Sequence, residues 1–197
     1  MKTRLMVALG LMFCAQGALA QQAHKWYAGV DIGQAELERL PLSGPGVDFD
    51  NQSTAYTLRG GYRFSRFYAL EVGYTDLGEF HGSTDPVNDF DISNQGFLVN
   101  NVFIWPVARH FELNLMLGAV LLDRKFTARG AASGSFEDSG VVPKVALGFS
   151  VPLNERLAFN LEWSQYADFA IGLQTEPDLD LTVEDTRTFS LGVRWSF

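Results

Sequence analysis

From about residue 25 onward, apolar residues recur at every second position in eight separate stretches, and the joins between them alternate strictly between short and long. The stretches are roughly 25–37, 53–64, 66–77, 95–105, 109–122, 141–151, 155–166 and 186–197. A repeat of two is the side-chain period of a β-strand, because successive side chains leave opposite faces. Three joins are tight: Phe64-Ser65-Arg66, Pro106-Val107-Ala108 and Pro152-Leu153-Asn154. Four are long and polar, at 38–52, 78–94, 123–140 and 167–185. This pattern predicts an up-and-down antiparallel meander with its tight turns at one end and its long loops at the other. No stretch reads as a long helix, and no segment is left over for a second domain.

Alternation alone does not say which face points inward. In the fifth stretch Phe111, Leu113, Leu115, Leu117, Ala119 and Leu121 oppose Glu112, Asn114, Met116, Gly118, Val120 and Leu122. In the seventh, Leu157, Phe159, Leu161 and Trp163 oppose Ala158, Asn160, Glu162 and Ser164. Eight strands close around a bore only just wide enough to be filled by side chains. The faces rich in Gly29, Gly33, Gly61, Gly73, Gly118, Gly148 and Gly192 suit that bore, whereas dozens of Phe, Tyr, Trp and Leu do not. The bulky face is therefore the outer one, and lipid is the solvent that rewards it. An unpaired sheet edge in hydrocarbon costs several kcal/mol per backbone group, so the last strand must pair with the first. The sequence thus predicts an all-β fold, a closed eight-stranded antiparallel up-and-down transmembrane β-barrel.

Aromatic residues Trp26, Tyr62, Phe64, Phe67, Trp105, Phe111, Trp195 and Phe197 gather near the tight-turn end, as an interfacial girdle would. The fourth stretch is ambiguous. Phe97, Val99, Phe103 and Trp105 share one phase with Asn101, while Leu98, Val102 and Ile104 hold the other, which points to a bulge or an altered register.

The start of the chain reads as an export signal. Lys2 and Arg4 precede an apolar run from Leu5 to Phe13, and Ala18-Leu19-Ala20 offers a small-x-small cleavage site. Residues 1–20 are thus expected to be a cleaved Sec signal peptide, and 21–197 the barrel domain. The run is well short of the ~20 residues of a spanning helix. The single cysteine, Cys14, lies inside the signal after Phe13, which is too large for a lipoprotein site. A cleaved product has no thiol and no disulfide. Loss of Lys2 and Arg4 takes the formal charge from −8 to −10. An acidic surface disfavours nucleic acid as a partner.

The segment LRGGYRFSRFYALEVGYTDLG (58–78), Gly-Val-Val-Pro at 140–143 and the alternating apolar C-terminus ending in Phe197 resemble the OmpA-like eight-stranded outer-membrane β-barrel domain of Gram-negative bacteria. The resemblance spans essentially all of 21–197. It implies a bacterial outer-membrane location, with both termini periplasmic and the long loops outside. It implies that Phe189, Leu191, Val193, Trp195 and Phe197 form the strand read by the outer-membrane assembly machinery. No peptidoglycan-binding domain follows Phe197, so a cell-wall tether is not implied.

Asp31, Arg59, Arg63, Glu71, Glu112, Lys144, Glu162 and Arg194 fall on the lumen face, four acids and four bases. Balance of that kind suits a buried polar network in which every charge is paired, a structural plug. A second reading is a narrow, low-conductance ion path in which a pair such as Arg59–Glu71 opens and closes. The third is a lipid A-modifying hydrolase, which would need a histidine base beside a serine. His24 lies before the first strand, His81 in a long loop and His110 at a tight turn. No His-x-Ser, Gly-x-Ser-x-Gly or His-Glu-x-x-His motif occurs. The expectation is therefore no enzyme, no cofactor and no metal site. Residues 76–92 carry Asp76, Glu79, Asp85, Asp89 and Asp91, and 167–185 carry Asp168, Glu176, Asp178, Asp180, Glu184 and Asp185, with no Lys or Arg in either. Loop 123–140 is balanced by Arg124, Lys125 and Arg129. Such acids are a solvated exterior, a bridge through divalent cations to lipopolysaccharide phosphates, or a site for a basic partner. The expected partners are outer-membrane lipids and lipopolysaccharide, the assembly machinery, and an extracellular ligand held by loops 38–52, 78–94, 123–140 and 167–185. The expected state is a monomer.

Overall fold

The computed structural model describes residues 26–37, 48–85, 88–130, 133–166 and 186–197. The expected export signal at 1–20, His24, most of the expected loop 38–52 and the expected loop 167–185 lie outside these residues. Nine strands follow one another: β1 (Trp26–Leu37), β2 (Asp48–Phe49), β3 (Gln52–Ser65), β4 (Tyr68–Asp85), β5 (Asn88–Ala108), β6 (Phe111–Arg129), β7 (Gly134–Pro152), β8 (Leu157–Tyr166) and β9 (Thr186–Ser196). All pairings are antiparallel, and every strand but β2 pairs with its neighbours on both sides. The ring closes where β1 meets β9, with Asp31 opposite Gly192 and Val30 opposite Val193. The two-residue β2 is an added piece that pairs only with β4. The result is a closed eight-stranded barrel with no helix among the described residues.

The lipid-facing surface follows the predicted parity. Val30, Leu58, Val72, Phe97, Leu117, Val145, Phe159 and Leu191 are all exposed on the outside, and Phe197 is 66% exposed. The upper limit of this apolar band is sharp. Tyr74, Phe97, Leu121 and Val141 lie side by side across four strands, and the next outward row is Asp76, Gln95, Asp123 and Ser139.

Two long joins are not loops. β4 and β5 continue as a paired hairpin as far as Asp85 opposite Asn88, and β6 and β7 as far as Ala128 opposite Gly134. The sequence pattern hid this because the apolar face reverses where lipid gives way to water. On β5 the outward side is apolar from Phe97 to Trp105, but past Gln95 the apolar side chains are Phe90 and Ile92, on the inward side. On β6 the same switch leads to Phe126. In β4 the parity itself shifts. The register slips between Asp76 and Glu79, and Gly78 sits at φ 81°, a conformation open to glycine. Among the described residues the wall therefore stands taller over β4 to β7 than over β8, β9, β1 and β3.

The tight turns also sit slightly later than expected. They fall at Arg66–Phe67, Arg109–His110 and 153–156. Small register shifts between Arg63 and Ser65 and between Pro106 and Ala108 carry the chain into the first two. The bulge expected within 95–105 is absent, since β5 runs in unbroken register with β6 from Asp89 to Pro106. Both faces of this strand are apolar because the inward residues Leu98, Val102 and Ile104 are buried in the lumen. Asn101 stays on the lipid side, where the Tyr68 hydroxyl donates to its Oδ1 at 2.8 Å and its Nδ2 donates to the Leu117 carbonyl at 3.3 Å.

Candidate functional site: the filled lumen and the outer groove

Two ionic layers cross the bore. The middle layer is built around Arg59 of β3. Its Nη1 donates to Glu162 Oε2 at 2.6 Å and its Nη2 to Asp31 Oδ1 at 2.7 Å. Glu71, the partner singled out from sequence, lies 3.8 Å from Nη1 and is the longest of the three contacts. Glu71 instead accepts the Tyr27 hydroxyl at 2.9 Å. Glu162 gathers the most donors, since Lys144 Nζ and the Ser164 hydroxyl reach its Oε1 at 2.8 and 2.7 Å. Three acids thus meet two bases, all buried. The second layer lies nearer the tight turns and has the opposite balance. Glu112 accepts Arg63 at 2.9 Å on Oε1 and Arg194 at 3.1 Å on Oε2. Arg194 also lies over the Tyr27 ring, so Tyr27 joins the two layers. All eight lumen charges read from sequence therefore fall in these two clusters.

Glycine makes room for them. A Cβ on Gly61 would run into the Tyr27 ring, and one on Gly192 would strike the Asp31 carboxylate. Beside the charges runs a neutral chain in which Asn114 Nδ2 donates to Ser150 Oγ at 2.8 Å and that hydroxyl donates to Asn160 Oδ1 at 2.7 Å.

Sequence reasoning missed the apolar part of the filling. Toward the long hairpins, Leu77, Phe80, Leu98, Val120, Leu122, Val142 and Tyr166 close together as a core, with Phe80 wholly buried. A smaller cluster of Tyr27, Ala69, Val102, Ile104, Met116 and Ala146 sits toward the tight turns. Leu98, Val102 and Ile104 on β5, with Met116, Val120 and Leu122 on β6, were the signal: apolar residues on both faces of a strand. Among the described residues two voids of about 10 Å³ border Glu162, one also lined by Glu71, Asn114 and Arg194, the other by Asp31, Thr75 and Thr188. Each has the size of roughly one water.

The aromatic residues named from sequence lie where the strands meet the tight turns. Trp26 and Tyr62 rings are 4.8 Å apart, Tyr62 and Phe64 4.8 Å, Phe64 and Tyr68 5.7 Å, and Phe111 meets Phe149 at 5.6 Å. Trp105 is exposed on the same outer surface, and Phe67 sits in the turn itself beneath Arg66. Phe189, Leu191, Val193 and Trp195 point outward along β9, and Phe197 follows with its N–H donating to the Trp26 carbonyl at 2.9 Å.

On the tall side, an open groove of about 500 Å³ is bordered by Asp50, Glu79, His81, Ser83, Asp89, Asp91 and Arg129. His81 is on β4 and not in a loop as expected; its Nδ1 contacts Asp91, whose other oxygen holds Arg129 at 3.1 Å. Among the described residues no cluster of three or more His, Cys, Asp or Glu is placed to hold a metal ion.

A closed antiparallel wall that is apolar outside and ionic within is a transmembrane β-barrel of the outer-membrane type. Residues 6–197 match the outer membrane protein beta-barrel domain, and the chain belongs to that family. Among solved structures it is similar to Ail, the attachment invasion locus protein of Yersinia pestis, in complex with the heparin analogue sucrose octasulfate. Identity is 14%, the match covers 88% of this chain and 99% of that one, and the TM-score is 0.56. Neisserial surface protein A is similar at 15% identity, with 87% and 97% covered and a TM-score of 0.56. The N-terminal barrel of Pseudomonas aeruginosa OprF follows at 12% identity, 89% and 100% covered, TM-score 0.53. At these identities the likeness is one of fold. No curated protein sequence matches significantly.

Proposed function

We propose that this outer-membrane barrel is a closed structural and surface-interacting protein, with a role in envelope integrity, adhesion or contacts made by its outer hairpins and loops. In this reading residues 1–20 are removed on export and both termini are periplasmic. The hairpins and loops 38–52, 78–94, 123–140 and 167–185 face outward, among lipopolysaccharide. The outward row of β9 ending at Phe197 is the strand presented to the assembly machinery, and the ring contacts from Trp26 to Tyr68 are the periplasmic girdle. The barrel works as a monomer and carries out no catalysis.

One observation supports the closed reading: among the described residues two ionic layers and two apolar clusters occupy the bore, and two voids of about 10 Å³ border Glu162. A hydrated ion cannot pass a gap that holds roughly one water. Planar-bilayer recording of the purified protein is expected to show a silent membrane. Reproducible current steps that vanish on altering Arg59 or Glu71 would replace this reading with the second one, a narrow ion pore. That alternative draws support from the position of the two voids, both of which border Glu162.

The anionic sugar analogue held by the Yersinia protein is not carried over as a ligand. The groove here presents Asp50, Glu79 and Asp89 together with an Asp91 already shared by His81 and Arg129. That sign suits a basic partner.

A further inference from the structure

Each tight turn sets an exposed apolar side chain close to an exposed arginine. The first has Phe64 and Arg66, the second Val107 and Arg109, the third Leu153 and Arg156. These turns join β3 to β4, β5 to β6 and β7 to β8, so the pairs are spread around the ring. Over 65–67, 106–110 and 153–156 the chain carries the three arginines and His110 against one acid, Glu155.

The three arginines are uncommitted. Among the described residues none of them is in an ion pair, whereas Arg63 and Arg194, a short way inside the bore, are both held by Glu112. The Arg66 guanidinium sits 4.5 Å from the centre of the Phe67 ring, a contact that leaves its N–H edge available. Backbone at these turns is held in place. Arg63 Nη2 donates to the Arg66 carbonyl at 3.0 Å, and Asn154 Oδ1 accepts the Arg156 and Leu157 N–H groups at 2.9 Å each.

Depth decides what such a rim can meet. On β5 the lipid face runs nine residues, from Phe97 to Trp105, and a tilted strand crosses the hydrocarbon in ~9–11. Trp105 therefore stands at the interface, and Arg109 follows four residues later, at headgroup level. We propose that the tight-turn end binds anionic phospholipid headgroups, with the apolar side chain of each turn in the acyl boundary and its arginine on the phosphate. A guanidinium suits that phosphate because it can donate two parallel hydrogen bonds to it. A water-soluble acidic polymer would use the arginines but gain nothing from Phe64, Val107 and Leu153. Nor is the surplus of base general, since residues 76–92 at the other end hold five acids and no Lys or Arg. The proposal deepens the lipid-partner reading above, and it takes from that reading only the periplasmic placement of the turns, which makes the leaflet the inner one.

The test reconstitutes the full-length barrel in phosphatidylcholine bilayers and compares phosphatidylglycerol with phosphatidylcholine, each spin-labelled near the end of an acyl chain. Electron paramagnetic resonance reads the fraction immobilised against the protein. Roughly twofold stronger association of phosphatidylglycerol is expected, averaged over the ring, and it should fade in about 0.5 M NaCl. The triple variant Arg66→Gln, Arg109→Gln, Arg156→Gln is expected to abolish the preference, while lysine at the same three positions retains it. Each single glutamine variant should remove part of it, which keeps the test open if the triple variant fails to fold. Lys125→Gln, on the outer hairpin, should leave it unchanged. Equal association of the two lipids with the wild type, a preference that survives the triple substitution, or one lost in Lys125→Gln overturns the proposal. The leaflet is read separately, with Glu155→Cys and a membrane-impermeant maleimide on intact cells. Labelling there overturns the periplasmic placement, and with it the choice of leaflet, without moving the spin-label readout.

Discussion

The middle of the bore and its outer mouth are lined by the same strands, yet they are filled in opposite ways. Around Arg59, five buried charges are held by contacts of 2.6 to 2.9 Å and one of 3.8 Å. A few residues higher, Leu77, Phe80, Leu98, Val120 and Leu122 fill the space with no ionic contact. The difference is one of tolerance. An apolar filling asks for volume and accepts any shape that packs to the same density. An ionic filling asks for every partner at once, because a buried charge left alone costs more than its pair contributed. The mouth is therefore the adaptable part of the plug, and the middle layer the part that admits only one arrangement.

The contrast breaks first at Arg59. Arg59→Leu leaves Asp31, Glu71 and Glu162 with Lys144 alone, and a loss of about 3–5 kcal/mol is expected in urea unfolding from lipid, followed by tryptophan fluorescence. A loss below about 1 kcal/mol, within reach of an ordinary exposed pair, would erase the distinction between the layers. Leu98→Ala in the mouth is expected to cost about 2–3 kcal/mol by opening a cavity, while Leu98→Met, of similar volume, should stay under about 1.5 kcal/mol. If the methionine variant were as damaging as the alanine one, the mouth would be as exacting as the middle. The smallest effect belongs outside the bore. Lys125 and Glu137 meet at 3.1 Å on the exposed hairpin, and Lys125→Ala should change stability by about 0–1 kcal/mol, less still in high salt.

The barrel itself was legible because period two and a surplus of large apolar groups leave one solution for a bore this narrow. Leu113, Leu117, Phe159 and Trp163, set against a face sprinkled with glycine, settled which way the wall faces. The lumen charges were legible as a set, since Asp31, Glu71, Lys144 and Glu162 all occupy the sparse face. Their pairing was not, because Arg59 reaches Glu162 across 103 residues and only the tilt and closure of the sheet bring them together. The tall hairpins escaped for a physical reason. Phe80, Phe90 and Phe126 obey the rule that apolar side chains avoid water, but there the water is outside, so the same rule writes the opposite phase. Gly78 compounds this by shifting the parity of β4 within a single strand. Leu98, Val102 and Ile104 suggested a defect in β5 when they were reporting an apolar core inside the bore.

The uneven height of the wall has a consequence for what the protein can meet. From Asp123 to Arg129, β6 climbs roughly 20 Å along its own axis past the last lipid-facing row, about 14 Å of elevation at a tilt near 45°. With the hairpins facing outward as proposed, a blade of that reach would stand among the inner sugars of the surrounding leaflet. Its tip would then be accessible in an envelope with short saccharides and shaded in one with long chains, so the same molecule would be exposed or concealed by the length of its neighbours' carbohydrate.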